Sequence, residues 1–383
     1  MFNSIAQQYN GQSNWDISTL YFYFSLVIFT SVIGYLAQHS KSLLTYQNPR
    51  LGFRKHQLNH ELFFAIFLVL LLISGFRRIG ADYLNYKDIF IASTTENAIY
   101  FSIEPGFLLV NKILSAIGLN FEVAIFIFSF TTIILVFAAI RDYANKINVS
   151  LALMAYVSLY YLPSFNMVRM YLAASIILYS YKFFLRGQMK KYLIVLSLTL
   201  FIHFSVFLFF FPIIGIWMFN KNKYWFWGVY VIGFILAFKA ISMFSELTLI
   251  DRYTHYAEAG ETEDSLGILH WIINIPIFVL YLYARKKIPN SPYLSSLLVL
   301  TFCEFLIGLL SYKIIILGRS LVYYNVLFIV IIPIVIQQLK QRHTRWCSIV
   351  AQTYYIYLFC RFYLYLKEYL YLDGIMPYKM IEL

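Results

Sequence analysis

Charge is what this chain has least of. Only 13% of its 383 residues are Asp, Glu, Lys or Arg, about half the share of an ordinary soluble domain. No stretch is polar enough to form a soluble domain, although the length would accommodate two or three. Cysteine is scarce too. Cys303, Cys347 and Cys360 all fall in apolar segments without a CxxC spacing, which argues against a disulfide framework and a zinc site. Residues 1–18 hold no Lys or Arg and no apolar core, so the first apolar segment, not a cleaved leader, is expected to act as the targeting signal. The P-loop, the GxSxG elbow, the HExxH pair and DxD- or DDxxD-type carboxylate clusters are all missing. ATP-driven transport and metal-assisted phosphate transfer are therefore unsupported, and no cofactor or metal is expected.

What is there is apolar: 61% of the residues are hydrophobic. A helix crossing ~30 Å of hydrocarbon needs about 20 mostly apolar residues. Candidate spans are 19–38, 61–76, 122–140, 149–163, 166–185, 192–203, 204–219, 225–244, 265–284, 293–312, 319–338 and 346–366. The expected fold is an all-α polytopic transmembrane bundle of about twelve segments. The interval 192–219 is too short for two full spans and contains Pro212, so a broken or re-entrant hairpin is expected there.

The 30 Lys and Arg outnumber the 18 acids, for a net charge of +12. They cluster between apolar segments and form no continuous basic face with interleaved aromatics, so no nucleic-acid partner is expected. Alternating the segments from an outside N-terminus puts more than half of the basic residues inside, including Arg141, Lys190, Lys191, Arg285 and Lys340. This satisfies the positive-inside rule. The chain then forms a single membrane domain with long extracytoplasmic stretches at about 77–121 and 245–264. Amphipathic runs in the first of these predict short helices lying at the interface.

Ionisable groups elsewhere need a reason to be in a bilayer protein. Arg77, Arg78, Asp82, Glu104, Arg169, His203, Arg252 and Arg319 all fall in the outer half of this topology. Together they outline an outward polar cavity suited to a polyanion, because guanidinium binds phosphate bidentately. Each also has a plainer reading. Arg77 and Arg78 can snorkel to headgroups; His203 can be a core histidine; Lys239 and Glu304 read better as a structural ion pair than as catalysts. Arg169 resists such a reading, since it lies one turn into an apolar helix after Pro163-Ser-Phe-Asn166. These residues leave two classes open: a metal-independent transferase acting on a lipid-linked substrate, and a carrier or flippase with a basic cavity.

Four motifs in order resemble the EpsG family of Wzy-like polysaccharide polymerases. They are Phe76-Arg-Arg-Ile-Gly-Ala-Asp82-Tyr83-Leu-Asn-Tyr86, Glu104-Pro-Gly106-Phe, Phe165-Asn166-Met-Val-Arg169 and Phe201-Ile-His203-Phe-Ser205. The closing Pro377-Tyr378 is similar to the family's C-terminal end. Met170 departs from the pattern, where the family often has Gln. The resemblance implies polymerisation of undecaprenyl-diphosphate-linked oligosaccharides for O-antigen, capsule or exopolysaccharide, outside the bacterial cytoplasmic membrane. It also implies a fold like the GT-C glycosyltransferases, with membrane lipid and a chain-length regulator protein as further partners.

On that reading cations must stabilise the departing diphosphate. Arg169 is the first candidate, with Arg77, Arg78, Arg252 and Arg319 beside it. The acceptor hydroxyl needs a base, and Asp82, Glu104 and His203 all remain candidates. Tyr83 and Tyr86 are candidates for stacking on sugar rings, or for anchoring at the interface. A flippase would use the same lipid diphosphate but would more often show two related halves, and no repeat is present. An O-antigen ligase differs only in its acceptor.

Overall fold

The computed structural model describes residues 16–40, 58–94, 103–244, 266–289, 291–311, 315–342, 346–368, 370 and 372–381. These are helical, with no strand among the described residues beyond an isolated bridge between Arg77 and Met380. In chain order the helices are α1 (Ile17–His39), α2 (His60–Gly75), α3 (Tyr83–Thr94), α4 (Pro105–Ala116), α5 (Phe121–Tyr143) and α6 (Val149–Tyr156). The helix α6 continues through a π-helical turn, Val157–Tyr161, and a 3-10 turn, Pro163–Phe165. Then follow α7 (Val168–Leu185), α8 (Met189–Thr199), a 3-10 segment (Phe204–Phe209), α9 (Phe210–Lys221), α10 (Lys223–Phe244) and α11 (Leu266–Lys287). The chain closes with α12 (Pro292–Ser311), α13 (Ile315–Asn325), α14 (Phe328–Gln341) and α15 (Cys347–Glu368).

The expected membrane segments fall on helices, though 204–219 opens as a 3-10 segment and 319–338 is divided between two helices, and among the described residues six stretches are long and apolar enough to cross a bilayer by themselves. The protein is a multi-pass membrane protein. Several helix starts are set by short polar side chains that accept from the free N–H groups of the first turn. Asp16 caps α1, Asn59 caps α2, Asn120 caps α5 and Asn148 caps α6. Apolar side chains outside the bundle, such as Ile28, Phe64 and Leu236, are exposed, as lipid-facing positions should be. The helix α14 is apolar all round and is buried along most of its length, which is where such a helix belongs.

Lipid tails are as apolar as leucine, so close packing and interhelical hydrogen bonds must hold the helices together. Gly34 of α1 lets the backbone of α6 approach: a Cβ there would lie 3.3 Å from Ser150 Cα. Beside it Ser150 Oγ donates to Ser31 O at 2.7 Å. Tyr181 donates to Ser296 at 2.5 Å, and Tyr161 to Leu70 O at 2.6 Å. Each such bond contributes about 1 kcal/mol.

The bundle has two distinct ends. At one, Gln38 joins α1 to the α5–α6 turn through Ile147 O and Val149 N, and Lys182 pairs with Asp142 at 2.7 Å. This is the end rich in Lys and Arg. At the other end lie α3 and α4, which pack on α5 and α7 through Tyr83, Tyr86, Phe107, Phe121, Phe128 and Leu172. Two short helices, α3 and α4, are therefore present within 77–121. The stretch 245–264 lies outside the described residues.

The expected break in 192–219 is also present. The helix α8 stops at Thr199, His203 is extended, and the chain resumes as a 3-10 segment. Ser205 Oγ meets Tyr323 Oη at 2.9 Å, and Tyr324 donates to Leu208 O at 2.8 Å. These bonds tie the irregular segment to α13, satisfying backbone and side-chain groups that lipid cannot.

Candidate active site

Glu104 occupies the N-cap position of α4, with Pro105 at the first helical position, yet its side chain does not cap the helix. Its carboxylate is turned away to Arg169 and His203. Oε2 accepts a hydrogen bond and an ion pair from Arg169 Nη1, and Oε1 meets His203 Nδ1 at 2.5 Å. Gly106 makes this approach possible. Its N–H donates to Phe201 O at 2.7 Å, and a Cβ at that position would stand 2.6 Å from the same oxygen. The first turn of α4 is thereby clamped to the break after α8, with Glu104 facing His203.

Arg169 arrives from the first turn of α7. Its guanidinium lies over Tyr86 and Phe107, at 5.7 and 5.4 Å from the ring centres. Its Nε is buried with no acceptor among the described residues, so donor capacity is left unused. The side chains of Arg169 and His203 keep 21% and 22% of their surface exposed, against 7% for Glu104. The carboxylate is therefore the buried hub, and Arg169 and His203 are its more exposed partners. Burial works to raise the carboxyl pKa of Glu104, but the His203 hydrogen bond and the Arg169 charge outweigh it and hold it below the usual range.

Asp82 sits in the turn that starts α3. Its N–H donates to Asn166 Oδ1 at 2.8 Å, but no side chain among the described residues hydrogen-bonds its carboxylate. Burial pushes the pKa of that carboxyl up, opposed by the charges of Arg319 and Arg169. Arg169 thus acts electrostatically on both acids. Glu104 is held ionised between partners, while the Asp82 carboxylate takes no side-chain hydrogen bond among the described residues. The two carboxylates are suited to different tasks.

The sequence model of the EpsG family matches residues 61–380. The chain belongs to the EpsG family. No curated protein and no solved structure matches it. The EpsG family comprises Wzy-like polysaccharide polymerase-related proteins, and membership implies a glycosyltransferase-like polymerase in the membrane.

In this EpsG-family chain all four signature motifs meet at one end of the bundle, but not every candidate joins the Glu104 cluster. Arg77 is 1% exposed. Its guanidinium donates to Ser74 O, to Ser129 Oγ at 2.7 Å and to Phe165 O at 3.3 Å. It therefore braces α2, α5 and the turn before α7 from beneath. Arg78 is exposed, as is Arg319 on α13. Arg252 lies outside the described residues.

Tyr83 and Tyr86 are buried, Tyr83 edge-on to Phe121 and Tyr86 against Phe107, so their rings serve packing and, for Tyr86, the back of Arg169. Met170 is buried in the core, pointing away from any polar task. Lys239 is exposed, whereas Glu304 is buried and accepts from Asn274 Nδ2 at 3.2 Å and Asn325 Nδ2 at 3.3 Å.

Two residues at the site carried no sequence signal of their own. Asp373 follows the last helix and accepts from Asn166 Nδ2 at 3.0 Å and from Tyr365 Oη at 2.5 Å. Asn166 was visible only as a letter in the Arg169 motif. Their pairing joins positions more than two hundred residues apart, and the nearest hint was the Pro377-Tyr378 ending.

Proposed function

We propose that the protein is a polymerase that moves a growing glycan from its undecaprenyl diphosphate carrier to a hydroxyl of the next lipid-linked repeat unit. The observation that carries this reading is the convergence of Asp82, Glu104, Arg169 and His203, drawn from four separate motifs, at the bundle end opposite the basic loops. The positive-inside rule assigns the basic end to the cytoplasm, so the site faces outward, toward the periplasm. The single membrane domain then covers this site with α3 and α4.

In the proposed step the acceptor oxygen attacks the anomeric carbon while the bond from that carbon to the diphosphate oxygen breaks. The hydroxyl proton passes to the carboxylate of Asp82, and the bonding electron pair leaves with the diphosphate. Arg169 neutralises the growing negative charge, with Arg319 and Arg78 on the exposed side and Arg252 retained on its charge alone. A single displacement inverts the anomeric centre. Glu104 orients Arg169 and His203, and the His203 Nε2 is the ring atom left to meet a sugar hydroxyl or a phosphate oxygen. Arg77 supports this arrangement from below. Losing one preorganised donor to developing charge costs about 10²–10³ in kcat. No metal is needed for a step stabilised in this way, as in the GT-C enzymes and O-antigen ligases to which the chemistry is compared. The polyprenyl tail would lie among membrane lipids beside the helices, and a chain-length regulator is the natural protein partner.

The test uses purified protein in lipid vesicles, given only a synthetic undecaprenyl-diphosphate repeat unit. A ladder of longer glycans that survives chelator and vanishes with Arg169→Ala is expected. Translocation of the lipid-linked unit without any new glycosidic bond would overturn the reading in favour of a flippase. Transfer to lipid A core alone would make the protein a ligase.

A further inference from the structure

The C-terminal segment beyond α15 returns to the candidate site and is bonded into it. Arg78 N donates to Lys379 O at 2.9 Å, Gly80 N to Gly374 O at 3.0 Å, Ala81 N to Asp373 O at 2.8 Å and Ile381 N to Phe76 O at 2.8 Å. The segment from Phe76 to the turn that carries Asp82 is thus joined by four backbone hydrogen bonds to a strap from the far end of the chain. Two glycines permit the contact. Gly374 has φ +63, and a Cβ on it would lie 2.8 Å from Ala81 N; Gly80 has φ +124, and a Cβ there would lie 2.8 Å from Phe165 O. Three segments therefore cross at van der Waals distance: the 80–82 turn, the turn before α7, and the strap. Two further bonds anchor the strap itself, Tyr23 Oη to Ile375 O at 2.8 Å and Tyr378 Oη to Ile73 O at 2.8 Å.

At this crossing the side chains form one directed chain. Tyr365 Oη donates to Asp373 Oδ2, Asp373 Oδ1 accepts from Asn166 Nδ2, and Asn166 Oδ1 accepts from the N–H of Asp82. Asn166 can serve both neighbours only with its amide in a single orientation, because one end must donate and the other accept. The Asp373 carboxylate, which has nothing to donate when ionised, and the Asp82 N–H, which has nothing to accept, together select that orientation. We infer that Asp373 is a positioning residue of the site, which sets the Asp82 backbone through Asn166 and so aims the Asp82 carboxylate at the acceptor. This rests on the proposed role of Asp82 as the base and adds a residue that lies far from it in sequence.

The experiment compares Asp373→Asn with the wild type in the vesicle assay, separating kcat from KM, with thermal unfolding measured alongside. The backbone bonds of the strap do not involve the substituted carboxylate, so the fold is expected to persist. With asparagine at 373 the charged acceptor that holds the Asn166 amide is lost, the amide shifts, and kcat should fall roughly 10–100-fold, the usual effect of displacing a reacting group by about an ångström, with KM within about twofold. In an Asp82→Asn background the same substitution should cause no further loss, because its effect passes through Asp82.

An unchanged kcat, or an equal fractional loss in both backgrounds, would overturn the inference while leaving Asp82 as the base. Full turnover by Asp82→Asn alone would refute the base assignment, and the positioning role with it. If Asp373→Asn does not fold, Asn166→Ala decides in its place: wild-type turnover would refute the positioning chain, and a fall in kcat absent from the Asp82→Asn background would support it.

Discussion

Replacing Glu104 with glutamine removes the charged hub of the Arg169–Glu104–His203 triad while keeping its shape. The carboxylate accepts from Arg169 through one oxygen and from His203 through the other. Glutamine keeps one acceptor and presents an NH₂ group at the second position, so either the Arg169 guanidinium or the His203 ring N–H faces a donor. A hydrogen bond to a charged group contributes about 1.5–3 kcal/mol. Losing one such bond and weakening the other costs roughly 2–4 kcal/mol, within the range for truncating one member of a buried charged pair. The Arg169 side chain keeps 21% of its surface exposed, so water recovers part of that loss and the lower half of the range is expected.

The assay is denaturation of the purified protein in detergent across a pH series, with turnover measured on the same samples. Because the Glu104 pKa is depressed when folded, its contribution is fully present above the unfolded carboxylate value. It is lost as the pH falls through the folded one. Wild type and Glu104→Gln should therefore differ most at neutral pH and converge in strong acid. Turnover should drop together with stability at neutral pH, since Arg169 and His203 both lose their fixed orientation. Equal stability of the two proteins at neutral pH, or a gap that persists unchanged into acid, would refute the triad.

Three other outcomes are expected. Asp82→Asn should lower kcat by about 10²–10⁴, and the wild-type rate should fall on the acid side at a pH above the ordinary Asp value, because burial raises this carboxyl and only its ionised form accepts a proton. Gly106→Ala drives a Cβ against the carbonyl of Phe201; misplacing Glu104 in this way should cost about 10² in kcat with the helical content retained in circular dichroism. Arg77→Ala strands Ser74 O, Ser129 Oγ and Phe165 O without their shared donor, so unfolding should ease by about 3 kcal/mol, seen as a lower thermal midpoint, whereas Arg78→Ala at the exposed neighbour should leave that midpoint unmoved.

Periodicity, caps and the scarcity of charge by themselves determined that this chain is a multi-pass helical membrane protein, where nearly every helix lies, and that the helix pair after Arg78 covers one end. These features are local: about 20 apolar residues, a capping Asn and a short irregular stretch can each be read without knowing any neighbour. The motifs likewise pointed to Asp82, Glu104, Arg169 and His203 as residues that a bilayer would not hold idly. Their separate surroundings were decided only by the tertiary structure. Arg77 and Arg78 are adjacent in sequence, yet one is buried against Ser129 and Phe165 while the other is exposed, because the chain leaves α2 with the two side chains on opposite sides. Glu104 and Asp82 are both acids in the same stretch, yet only one meets Arg169 and His203. Asp373 joins Asn166 across a chain separation that no local pattern encodes. A buried charge takes its role from the partners within a few ångströms of it, and those partners are set by packing between helices, not by order along the chain.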